Sequence, residues 1–151
     1  MNKTVAQCSM IAALTVWVVL SFVAPDVLSD KNTFLKGFVT HELLGFLGVI
    51  VTITLASAAN LHLKLNELEE KVQKQVFSRT RSMVKKSAYW LIGMLLIALL
   101  LVVIKPVVAT SNIAEALFNG AALLVVFFNI LVLIDLTQSA FSLEPSINED
   151  E

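Results

Sequence analysis

The stretch Ala88–Ile104, AYWLIGMLLIALLLVVI, runs without a charged residue from just after the Lys85–Lys86 pair to Lys105. As a helix rising about 1.5 Å per residue it is about 25 Å long, close to the hydrocarbon core of a bilayer, about 30 Å thick. Tyr89 and Trp90 stand at one end of the run, where an interfacial aromatic belt forms. The segment predicts a membrane-spanning helix, and the rest of the chain is read outward from it.

Three other segments are apolar enough to cross: Val5–Ala24, Phe38–Leu61 and Ile113–Leu136. Gln7, Ser9, Thr15 and Ser21 in the first are polar but uncharged. Lys3 before an apolar run also fits a signal sequence, but Pro25 follows the only suitable cleavage point. The first segment therefore reads as an uncleaved anchor. Composition agrees. Of 151 residues, 57% are hydrophobic and 15% charged, with a mean hydropathy of +0.81. Soluble domains have about 45–50% and about 25%. The expected fold class is all-α, an integral membrane four-helix bundle built as a single membrane domain over 1–151. Pro25-Asp26 and Lys105-Pro106 predict the ends of the first and third helices. The two connections, Pro25–Gly37 and Lys105–Asn112, are short, so the bundle reads as two antiparallel hairpins.

The charges are segregated. Lys64, Lys71, Lys74, Arg79, Arg81, Lys85 and Lys86 cluster in the middle, against Lys31, Lys36 and Lys105 on the opposite side. The positive-inside rule then places segment 62–87 in the cytoplasm. With four crossings both termini lie there too, including an acidic tail over 137–151 that closes on Glu149-Asp150-Glu151. The expected location is the inner, or cytoplasmic, membrane of the cell. A net charge of -1 and no interleaving of basic with aromatic residues argue against nucleic acid as a partner.

The middle segment has a helical period of its own. Leu61, Leu65, Leu68, Val72 and Val76 recur in steps of three and four, while Glu67–Lys71 and Glu70–Lys74 have the favourable i,i+4 order. The second membrane helix is expected to continue as an amphipathic helix ending near Phe77 or Ser78. Its stripe, with Arg79, Arg81, Lys85 and Lys86, suits contact with a cytoplasmic protein, the lipid surface or another subunit. The plain alternative is a helical hairpin packed on its own chain.

Ionisable and amide side chains inside a membrane helix cost free energy and draw attention to function. His41 and Glu42 enter about one turn into the second helix, and Glu115 at a similar depth in the fourth. Asn112, Glu115, Asn119, Ala122, Val126 and Asn129 share one helical face. Gly45, Gly48, Thr52, Ala56 and Ala59 form a stripe of small residues on the second helix, the kind that permits close helix contact. Both faces are expected to look inward, toward each other or toward a symmetry axis. His41, Glu42, Glu115, Asn119 and Asn129 then form a candidate polar path, and otherwise the amides join helices while the acids lie wetted at headgroup level. Bulky residues such as Leu123, Leu124, Phe127, Phe128 and Leu131 are assigned to lipid.

No enzyme chemistry is legible. His41 and His62 are about 31 Å apart along one helix, so they share no metal. Cys8 is the only cysteine and reads as a buried thiol. No phosphate loop, HExxH or nucleophile elbow occurs. No catalytic residue, cofactor or metal is assigned.

Four apolar helices, the basic middle segment and the short charged tail together resemble the small four-helix membrane proteins of phage-exclusion systems. Those are regarded as membrane-depolarising channels. The likeness is one of layout and carries no residue role across. The Asn/Glu stripe, in a chain too small to make a pore alone, gives the expectation of a homo-oligomer that forms or gates an ion-conducting path, and the likeness adds a role as an effector in bacterial defence. Two rival expectations are a membrane-anchored adaptor that recruits or senses a cytoplasmic partner through the 61–86 helix, and a small transporter subunit.

Overall fold

The structure, a computed structural model, describes residues 3–72 and 78–141, and every regular element among them is helical. In chain order these are α1 (Lys3–Val23), α2 (Pro25–Leu28), α3 (Thr33–Phe38), α4 (His41–Val72), α5 (Ser78–Val108) and α6 (Asn112–Phe141). Four of them, α1, α4, α5 and α6, are long and apolar enough to cross a membrane. The exterior of these helices is lined by side chains such as Phe22, Val49, Ile53, Leu96, Leu100 and Val103, all exposed. A soluble monomer rarely presents so continuous an apolar surface. The chain is a small multi-pass membrane protein by this measure.

One helix end and one connection differ from the sequence expectation. α5 does not stop at Lys105-Pro106 but runs through Pro106 to Val108, and the Ala109 amide closes the last turn on the Lys105 carbonyl at 2.9 Å. Proline forfeits one backbone hydrogen bond, whereas unwinding the turn among apolar neighbours strands several polar groups, so continuing is the cheaper course. The first connection is also more than a loop. It folds into α2, with Pro25 at its first turn, and α3, capped by Asn32.

Helix α4 packs along α5, α5 along α6, and α6 receives α1 and α2. Near α3, the core is Val39, Leu43 and Leu47 against Ala98, Ala122 and Val125. Farther along α4, Val51, Ala58, Leu61 and Leu65 pack with Val84, Leu91 and Leu136. Within the chain Leu61 and Leu65 are buried, as the plain reading of the middle segment has them. Leu68 is half-buried. The side chains of Val72 and Arg79, the expected helix end near Phe77 and the acidic tail beyond Phe141 lie outside the described residues.

Helix α1 rests mainly on α6 and α2. Cys8, read as a buried thiol, is exposed on it, because α1 has few packing neighbours to turn toward. It meets α6 at Trp17 on Gly120, where a Cβ on the glycine would stand 2.0 Å from Trp17 Cδ1 and 2.2 Å from Nε1. Gly120 is thus required by contact with an indole ring. Ala in place of a helical glycine would ordinarily gain about 1 kcal/mol, but overpacking costs about 1–3 kcal/mol and the overlap here is severe. Gly120→Ala is expected to lower the unfolding temperature in detergent, and Trp17→Ala in that background to recover part of the loss.

Candidate functional site

The polar side chains gather where the first connection folds over the ends of α5 and α6. Asn32 shapes that connection: its Oδ1 accepts from the Phe34 and Leu35 amides at 3.1 and 3.4 Å, and its Nδ2 donates to the Val27 carbonyl at 3.0 Å. The cap starts α3 and ties it back to α2. Asp30 is held in the turn between them.

Asp30 is the hub. Its Oδ1 accepts from Lys105 Nζ at 2.7 Å and from Asn119 Nδ2 at 3.0 Å, and its backbone amide donates to Glu115 Oε2 at 3.0 Å. Asn119 Nδ2 also donates to the Leu28 carbonyl at 2.8 Å, and Asn112 Nδ2 to Asp26 Oδ1 at 3.2 Å. One face of α6 thus holds the connection: Asn112 on Asp26, Glu115 on the Asp30 amide, and Asn119 on both Leu28 and Asp30. Lys105 comes from α5 and is only 7% exposed, so its charge depends on Asp30. By contrast the Lys31–Asp26 pair at 2.8 Å is well exposed and adds little.

Burial pushes the Asp30 carboxyl upward. The hydrogen bond from Asn119, the bond and charge of Lys105, and the charge of Lys36 outweigh it and hold the group below its ordinary 3.8. Beside this network opens a cleft of about 340 Å³ between Asp30, Lys36, Thr40, His41 and Lys105 on its polar side and Val39, Val102, Pro106 and Ala109 on its apolar side.

The five residues of the expected polar path part company. Glu115 and Asn119 join the Asp30 network, and His41 edges the same cleft. Glu42 is exposed on the outer side of α4. Asn129 is fully buried, with Nδ2 donating to the Val125 carbonyl of its own helix at 2.8 Å. Its Oδ1, like that of Asn119, accepts no hydrogen bond from the described residues. The inward direction of the α6 face holds for Asn119, Ala122 and Asn129, all buried. Leu123, Leu124, Phe127, Phe128 and Leu131, assigned to lipid, are half-buried, and Leu123 packs under Leu28 and Ala116.

The small stripe does not meet that face. Gly45, Thr52, Ala56 and Ala59 are exposed and Gly48 half-exposed, while Leu43, Leu47, Val51, Thr54 and Ala58 fill the core. Nothing lies within 4 Å of a Cβ placed on Gly45 or Gly48. The leucine face of α4 offers more dispersion contact within the chain, so the small face is left outside. Arg81, expected to meet a partner or lipid, instead pairs with Glu69 across the α4–α5 hairpin. Lys85 and Lys86 remain exposed.

Asp30 and Lys105 were not singled out from sequence, although a cation closing an apolar run calls for a counter-charge. Among the described residues, no three His, Cys, Asp or Glu side chains group as a metal site. Compared with family models, curated proteins and solved structures, the chain matches none.

A carboxyl held below its ordinary value stabilises the fold above pH 3.8 and loses that contribution as pH falls through its folded value. Melting curves between pH 3 and pH 6 should therefore show an acid-side loss of stability that is smaller in Asp30→Asn. Lys105→Met, which leaves Asp30 without its cation, should cost about 1–3 kcal/mol at neutral pH.

Proposed function

We propose that copies of this chain associate through the outer face of α4 and form or gate an ion-conducting path between them. The observation that carries the reading is the outward direction of Gly45, Thr52, Ala56 and Ala59, continued toward the Asp30 end by exposed Glu42. Small residues let helices approach closely, and Thr and Glu side chains offer oxygen to a cation. A path within one copy is disfavoured by the filled core of Leu43, Leu47, Ala98 and Ala122. Glu115 and Asn119 are occupied in holding the first connection, which moves the lining from α6 to α4.

In this reading the Lys64–Lys86 side faces the cytoplasm, as the positive-inside rule asks, and Glu42 marks the outer mouth. Dissipation of membrane potential would suit the defence role that the layout implies. The adaptor reading is the weaker one, since Leu61 and Leu65 are already buried and Arg81 is paired.

Cation flux into liposomes carrying the purified protein tests the reading. Glu42→Gln and Thr52→Leu should each reduce flux roughly tenfold, about 1.4 kcal/mol in the barrier, while Asn129→Leu leaves conduction per folded protein near wild type. Flux unaffected by either α4 substitution would remove α4 as the lining. A folded protein that remains monomeric in bilayers would overturn the proposal entirely.

A further inference from the structure

Helix α5 carries a second polar feature, at the end opposite Asp30. Ser82, Lys85, Lys86, Tyr89 and Trp90 line an open groove of about 420 Å³. They fall on two adjacent ladders with steps of four, Arg81–Lys85–Tyr89 and Ser82–Lys86–Trp90. Each ladder sets a lysine one turn above an aromatic ring. Lys85 Nζ lies 6.0 Å from the centre of the Tyr89 ring, and the Trp90 ring is braced by Phe128 of α6 at 5.9 Å between centroids. Arg81 is turned away toward Glu69, and among the described residues the cations that line the groove are Lys85 and Lys86. None of Ser82, Lys85, Lys86, Tyr89 or Trp90 is buried by the rest of the chain.

We infer that this groove binds the headgroup of an anionic phospholipid, with Lys85 and Lys86 on the phosphate and Tyr89 and Trp90 against the glycerol and upper acyl chain. Charge and depth both select this occupant. The lysines call for an anion, and Ser82 adds a hydroxyl donor. The aromatic rings open the uncharged run Ala88–Ile104 while the lysines stand just before it, so in a bilayer the rings would sit below the lysines, where a lipid fits and a soluble acidic protein does not reach. Trp and Tyr are favoured at that level because one side of each ring is apolar and its polar atom meets the headgroups. A free phosphate would engage the lysines but leave the aromatic floor of the groove without a function. The inference needs only that α5 crosses a bilayer and stands apart from the question of conduction.

Native mass spectrometry of the full chain, released from micelles holding equal amounts of phosphatidylglycerol and phosphatidylcholine, tests it. Retained lipid should be enriched in phosphatidylglycerol. The enrichment should fall about fivefold for each of Lys85→Gln and Lys86→Gln, the loss expected for one cation near an anionic surface. Lys31→Gln, at the other end of the molecule, should leave it unchanged. Tyr89→Leu with Trp90→Leu should shorten lipid retention while the preference for the anionic headgroup survives. Equal retention of the two lipids, an enrichment indifferent to both lysines, or complete displacement by millimolar inorganic phosphate would overturn the assignment.

Discussion

An ammonium group buried at the end of a membrane helix must have a counter-charge at contact distance, and for Lys105 that group is Asp30. Much of the surrounding architecture follows from meeting this requirement. Asp30 belongs to a short connection that would otherwise be free to move, so the turn is fixed at both ends, by Pro25 in the first turn of α2 and by the Asn32 cap of α3. Three residues of α6 then hold the turn through its backbone and its acids. Because α2 and α3 are carried on that turn, the place where α1 ends and the place where α4 begins are both referred to α5 and α6. The polar atoms that do this are largely withdrawn from solvent by the chain, where each unmade hydrogen bond costs heavily.

The spans were legible because their signal is crude and strong: length, with few charges. The inward face of α6 was legible too, since Asn112, Glu115 and Asn119 repeat at helical spacing. What they grip was not, because Asp26, Leu28 and Asp30 sit in a connection with no period to read. For α4 the spacing left open whether the small face meets α6 or a symmetry axis, and within one copy it does not meet α6. That helix has two faces with steps of three and four, one of leucine and valine and one of small residues, and a periodic pattern says that each is a face without saying which one the chain keeps for itself. For Leu61 and Leu65, the partner was Val84 and Leu91 on the other arm of the same hairpin, a contact that spacing within one helix does not reveal.

The division of α4 separates two tasks along a single helix. Its leucine face is closed by α5 and α6. The opposite face is left exposed. Polar residues are divided in a similar way: Glu115, Asn119 and Asn129 of α6 are turned inward, Glu42 and Thr52 of α4 are left outside, and Ser82, Lys85 and Lys86 at the start of α5 are exposed. Only the residues not consumed in holding the chain together remain available for function.

Helix α1 finds its main support in α6, which begins nearly a hundred residues later in the chain. During synthesis it therefore enters the bilayer long before that support exists. It is suited to the interval. The hydroxyls of Ser9 and Thr15 donate to carbonyls of its own backbone, at Ala6 and Ile11, so these groups need no neighbour while the helix waits in lipid. Trp17 finds its place against Gly120 only once α6 is present, so a chain interrupted before α6 would leave that indole face of α1 uncovered.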